Sequence, residues 1–121
     1  MTSNIPYSRI GITGSRNFSD LKKMREFITS LPAGISISVG DCRGADKAAS
    51  SLALSLGISI IIYSADWQRC GKAAGPIRNK QIIDSGIQAL YAFPDVDLDR
   101  STGTRDCVRQ AKKAGIPVFF P

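Results

Sequence analysis

Short β-prone runs alternate with helical stretches along the whole chain, and this alternation limits the possible folds more than any single motif. RIGIT at 9–13 ends at Gly14, and SDLKKMREFITSL at 19–31 then places Leu21, Met24, Phe27, Ile28 and Leu31 on one helical face. ISISV at 35–39 precedes a glycine-containing loop and a helix over 45–56, which Gly57 stops. ISIIIY at 58–63 is the third strand. The stretch ADWQRCGKAAGP at 65–76 reads as irregular, because its glycines and proline oppose one continuous helix, and the next helix is expected from Pro76 or Ile77. ALYAF at 89–93 is the fourth strand, and a polar loop follows from Pro94 to about Thr102. RDCVRQAKKA at 105–114 makes the last helix, closed by Gly115, and VFF at 118–120 the last strand. Five strands separated by helices imply right-handed crossovers and a mostly parallel sheet covered on both faces, an α/β fold.

Composition sets the outer limits. A chain of 121 residues with 43% apolar content can bury one core and is too short for two conventional domains, so 1–121 reads as a single domain. MTSNIPYS lacks the basic start and apolar run of a secretory signal, and no stretch approaches the roughly 20 apolar residues of a membrane span. A cytoplasmic protein without membrane contact is therefore expected. Cys42, Cys70 and Cys107 form no CxxC pair, and the chain has no histidine, so neither a disulfide framework, a zinc site nor a resident cofactor is expected. The same lack of histidine excludes Ser/His/Asp and Cys/His catalysis. Sixteen Lys and Arg against ten Asp and Glu give a net charge of +6, which favours anionic partners.

Open parallel sheets bind ligands beyond the carboxyl ends of their strands, where strand order reverses. Three strand-to-helix loops carry glycine beside arginine and small hydroxyl residues: TGSR at 13–16, GDCRGAD at 40–46 and STGTRD at 101–106. Glycine lets the backbone approach a ligand closely, and free amides at a helix start attract phosphate. Ser15, Thr102 and Thr104 add hydroxyl donors, and the guanidinium forks of Arg16, Arg43, Arg105 and Arg78 suit phosphate or carboxylate geometry. Taken singly, each loop is equally an ordinary turn with an ordinary cap. Three on one edge shift the balance toward an anion site. Asp41, Asp46, Asp66 and Asp106 lie in or beside these loops, as ribose-binding carboxylates or as helix caps, and Trp67 is either a base-stacking ring or a cover for the core edge. Neither GxGxxG nor GxxxxGK[ST] is present, which argues against an ordinary dinucleotide dehydrogenase and a P-loop nucleotidase.

These segments, together with ADW at 65–67, GKAAGPIRN at 71–79 and FPD at 93–95, resemble the YspA-like branch of the SLOG superfamily, which also includes the Lonely Guy phosphoribohydrolases and DprA. The resemblance covers nearly the whole chain. It implies a Rossmann-like three-layer sandwich with strand order 3-2-1-4-5, a nucleotide-type ligand across the glycine loops, and frequent homodimers. Position by position, it implies ligand contacts from Gly14, Ser15 and Arg16, from Gly40, Arg43, Gly44 and Asp46, from Arg78 and Asn79, and phosphate binding by Gly103 and Thr104. The Lonely Guy motif PGGxGTxxE reads STGTRDC here, so Cys107 takes the place of the catalytic glutamate and Asp106 precedes it.

The leading expectation is a protein that binds or senses a nucleotide-derived, phosphate-bearing small molecule. A second is cleavage of the N-glycosidic bond of a nucleoside monophosphate, with Arg78 and Asp106 as catalytic residues. A third is DprA-like binding of single-stranded nucleic acid, for which the net charge argues and the low aromatic content of 7% does not.

Overall fold

The computed structural model describes residues 5–94 and 102–121. In chain order the elements are β1 (Arg9–Gly14), α1 (Leu21–Thr29), β2 (Ser36–Gly40), α2 (Ala45–Ser55), β3 (Ser59–Tyr63), a short α3 (Trp67–Cys70), a single 3-10 turn (Gly71–Ala73), α4 (Ala74–Ile83), β4 (Ala89–Phe93), α5 (Thr102–Lys113) and β5 (Val118–Phe119). The strands form one sheet in the order β3-β2-β1-β4-β5, and every pairing is parallel. With helices on both faces, this is a Rossmann-like three-layer α/β sandwich. Most of the polar loop after Pro94, including Asp95 and Ser101, lies outside the described residues.

Alternation along the strands builds two cores. Ile10 and Ile12, both fully buried, face the first layer with Ile37, Val39, Tyr91 and Phe93, and meet Met24, Phe27 and Ile28 of α1. The Phe27 ring lies 4.9 Å from that of Tyr91 and 5.2 Å from that of Phe93. From α2 the buried Ala45, Ala49 and Ala53 enter this core, a small-residue stripe that brings the helix close to the sheet, with Ala48 and Leu52 half-buried beside it. On the opposite face, Leu90 and Ala92 meet Ile82 and Ile83 of α4 and Cys107, Val108 and Ala111 of α5. Gly11 makes room for this second layer, because a Cβ there would sit 2.8 Å from the Ile87 side chain and 3.0 Å from that of Leu90.

Some boundaries differ from the sequence expectation. The helix expected from Pro76 or Ile77 begins at Ala74, because a proline in the first turn removes an N–H that has no intrahelical partner there. The irregular segment before it contains α3, capped by the Asp66 side chain accepting from the Arg69 amide at 3.1 Å and ended by Gly71 at φ +57°. Helix α5 starts at Thr102, so Gly103 lies within its first turn rather than in a preceding loop. Leu21, assigned to the core face of α1, is 60% exposed, and Phe18 from the preceding loop packs edge-on to Phe93 instead. The last strand stops at Phe119, one residue short of expectation.

Candidate functional site

Strand β1 pairs with β2 on one side and β4 on the other, so the chain winds outward to β3 and then returns across the sheet. At this reversal the loops after β1 and β4 diverge into opposite layers and leave a crevice at the carboxyl rim. A cavity of about 240 Å³ occupies it, lined by Gly14, Ser15, Arg16 and Asn17 after β1, by Cys42 after β2, and by Thr102, Gly103 and Thr104 at the start of α5. The first amides of a helix have no intrahelical acceptor and carry the positive end of its dipole. Arg16 and Asn17 are exposed across from that helix start.

Close docking of the first two loops holds this rim together. Ser15 donates its amide to the Phe93 carbonyl at 3.0 Å, its carbonyl accepts from the amides of Phe18 and Ala45 at 3.1 Å each, and its hydroxyl oxygen accepts from the Asn17 amide at 3.0 Å. Two glycines make that approach possible. A Cβ on Gly14 would lie 2.4 Å from the Ala45 Cβ and 2.5 Å from the Phe93 carbonyl oxygen. A Cβ on Gly44, whose φ is +82°, would lie 2.3 Å from the Ser15 carbonyl oxygen. Their service to the site is therefore to let one loop rest on another.

Behind the cavity lies a polar network. Arg78 of α4 is only 5% exposed, and its guanidinium donates to Asp41 Oδ1 at 2.9 Å, Asn79 Oδ1 at 3.0 Å and Cys42 Sγ at 3.5 Å. Asn79 in turn donates to the Gly103 carbonyl at 3.2 Å and to Asp106 Oδ2 at 3.0 Å. Asp106 also accepts from Arg109 at 2.6 Å and from Gln110 at 2.8 Å, and Gln110 reaches the Pro76 carbonyl at 3.1 Å. The network thus runs from the β2 loop through α4 to the first turns of α5, and fixes where the α5 amides point.

Gly40 marks the meeting of the two helical layers over the end of β2. A Cβ there would fall 2.6 Å from both Arg78 Nη1 and Asp46 Oδ2, so only glycine lets those side chains converge from α4 and α2. Asp46 accepts one hydrogen bond, from the Cys42 amide at 3.2 Å. Burial pushes its carboxyl up to about 7, against the opposing pull of Arg78 and the Cys42 amide, with Asp41 adding to the rise. Burial also works against the Arg78 charge, but contact with Cys42 and the nearby Asp46 and Asp41 outweigh it and hold the guanidinium above its ordinary value. For Asp106 the result is opposite: burial would raise its pKa, yet the donors Asn79, Arg109 and Gln110 prevail and lower it. Burial pushes the Cys107 thiol up to about 12, so it stays neutral and inert at physiological pH.

The sequence-selected residues therefore separate into two groups. Gly14, Ser15, Arg16, Thr102, Gly103 and Thr104 line the cavity. Arg78, Asn79, Asp46 and Gly40 lie in the supporting network, Gly44 is a packing point, and Arg43 is exposed away from the cavity lining. Asn17 and Cys42 also line the cavity and went unselected. Asn17 directly follows TGSR and Cys42 lies inside GDCRGAD, so position within the chosen loops was the available signal. Among the described residues no group of three or more His, Cys, Asp or Glu side chains could hold a metal ion, and no helix is long and apolar enough to cross a membrane.

The reversed strand order and the cavity at its crossing define a doubly wound α/β protein with its candidate site at the sheet's carboxyl edge. Within that class, the chain is 38% identical over 120 residues to the Gene 61 protein of Mycobacterium phage D29, an alignment covering 92% of this chain and 94% of the phage protein. The chain belongs to the same family as that protein. It matches no family model and no solved structure.

Proposed function

We propose that this protein is a SLOG-type domain that binds a nucleotide-derived, phosphate-bearing small molecule, with the phosphate at the start of α5 beside Arg16. The observation that carries this reading is the cavity itself, where the first turn of a 12-residue helix faces a glycine loop with an exposed arginine at the point of strand reversal. Its 240 Å³ suits a phosphate with part of a ribose, and the remainder of the ligand extends over the open rim.

Binding without hydrolysis is the reading the residues support best. Glycosidic cleavage asks Asp106 to present an ionised carboxylate to an oxocarbenium-like centre, and although its donors keep it ionised, Asn79, Arg109 and Gln110 engage both of its oxygens and it does not line the cavity. Titration calorimetry with nucleoside mono-, di- and cyclic phosphates, NAD and ADP-ribose tests the proposal. At least one should bind, and Arg16→Ala should weaken it at least about tenfold, the loss of one charge-assisted contact. Absence of binding by every compound overturns the reading. Release of free base from a bound monophosphate, abolished by Asp106→Asn, would replace it with the hydrolytic one.

A further inference from the structure

Leu21 belongs by its spacing to the core face of α1, yet it is 60% exposed, and what lies beside it is a second cleft. This cleft runs between α1 and α2 in the first layer and has a volume of about 500 Å³. It shares no lining residue with the cavity at the strand reversal. From α1 it takes Leu21 and Arg25, one turn apart on the same face, and from α2 it takes Lys47, Ala48 and Leu52. Phe18, in the loop that leads into α1, closes the end nearest the carboxyl rim.

Its walls divide by chemistry. Ala48 and Leu52 are half-buried against the core, and Leu21 stands out from it toward water, so the cleft has an apolar side that the fold leaves open. Arg25 and Lys47 are the only charged residues in the lining among the described residues, one from each helix, and both are exposed. No carboxylate lines the cleft, and among the described residues neither cation enters an ion pair, in contrast to Arg78, Lys80 and Arg109. A single surface cation is ordinarily just solvated, but here two without a counter-charge flank one apolar hollow. A concave apolar surface with a few fixed polar groups is the usual form of a small-molecule site, and about 500 Å³ falls within the range of such sites.

We propose that the α1–α2 cleft binds a small amphipathic anion, an apolar chain ending in a carboxylate, with the chain along Leu21, Leu52 and Phe18 and the carboxylate held by Arg25 and Lys47. Charge complementarity selects this occupant. An uncharged apolar molecule would cover Leu21 without engaging either cation, and a small inorganic anion would pair with them only at the surface, where such a pair contributes little. Joining tail and charge in one molecule adds the burial of apolar surface to the ion pair and withdraws that pair from solvent, which strengthens it. The guanidinium can hold a carboxylate through two parallel hydrogen bonds, and the ammonium adds further donors. This binding is separate from that of a phosphate-bearing ligand at the strand reversal and does not depend on it.

Titration calorimetry of the full chain with decanoate should show one site per chain that inorganic phosphate does not displace. Acetate, which has the charge without the tail, and decyltrimethylammonium, which reverses the charge on the same tail, should each bind at least about tenfold more weakly. Arg25→Gln combined with Lys47→Gln should weaken decanoate at least about tenfold. Lys112→Gln combined with Lys113→Gln removes the same charge from α5, across the sheet, and should leave decanoate binding unchanged. Leu21→Gln should weaken it about threefold through lost apolar contact. All of these side chains are exposed, so each variant should keep the far-ultraviolet spectrum of the wild type. Equal affinity for decanoate and decyltrimethylammonium, an equal loss in the two charge variants, or displacement by phosphate overturns the proposal. Absence of decanoate binding at millimolar concentration also overturns it, and leaves the cleft to an acidic segment of a protein partner.

Discussion

The front and the back of the carboxyl rim use the same residue types for opposite purposes. In front, Arg16 is exposed beside a cavity, and Gly103 stands at a helix start where an added Cβ would meet nothing within 4 Å. Behind, Arg78 is buried and bonded to Asp41, Asn79 and Cys42, and Gly40 is clasped between Arg78 and Asp46. The front has open space beside Arg16 and Gly103, which suits a ligand. The back has bonding and no space, which suits a scaffold. Damage behind should therefore appear first as lost stability, and damage in front as lost binding.

Gly14→Ala should cost about 3 kcal/mol of stability and marks where the division is crossed, since this glycine lines the cavity yet the new methyl meets the Phe93 carbonyl and the Ala45 Cβ and neither can withdraw. The sharpest way to break this division is at Arg78. Arg78→Met should cost about 2 kcal/mol of stability by denaturant unfolding, because it leaves the buried Asn79 carbonyl without its donor and takes the cation from Asp41 and Asp46. A cost under about 1 kcal/mol would mean the network is ornamental.

Next comes a dependence on pH. The folded pKa of Asp46, about 7, lies above its ordinary 3.8, so between those values the folded state keeps a proton that the unfolded chain releases. Its contribution to stability is complete below about pH 4 and declines as pH rises to about 7, on the order of a few kcal/mol in all. The difference between wild type and Asp46→Asn, measured by thermal or urea unfolding across that window, isolates it. A difference flat in pH would show that Asp46 is not the proton's holder. Asp106, with its lowered pKa, acts in the opposite direction and loses its contribution as pH falls through its folded value.

The smallest effect on stability belongs to the front. Gly103→Ala should stabilise α5 by up to about 1 kcal/mol, because alanine replaces glycine in a helix with space for its methyl, while weakening ligand binding by crowding the helix start. A variant that gained neither stability nor a binding defect would erase the distinction between the two halves of the rim.

The alternation of strands and helices was legible because each β-run is short, apolar and bounded by glycine or polar residues. ALYAF at 89–93 matches β4 residue for residue. The start of α4 was not, because Pro76 signals a break in general but costs nothing in a first turn. Convergence of the three loops on one rim followed from topology alone. Which arginine faces solvent did not follow, because the burial of Arg78 depends on Asp41, Asp46 and Cys42, which reach it from the β2 loop and α2 only once the layers are stacked. The glycines carry a second reason for being glycine that the sequence did not show: Gly14 lines the cavity, yet what would collide with a side chain at Gly14, Gly40 and Gly44 is the protein itself.

The position of β1 has a consequence for how the molecule comes into being. This strand leaves the ribosome first among the five, but its second neighbour, β4, is made only after four α-helices and two other strands, so the middle of the sheet closes late. A nascent chain ending before Phe93 exposes the inner flank of β1 and has no α5 to wall the crevice. Closure of the middle of the sheet and completion of the crevice at its carboxyl rim thus both wait for the last third of the chain.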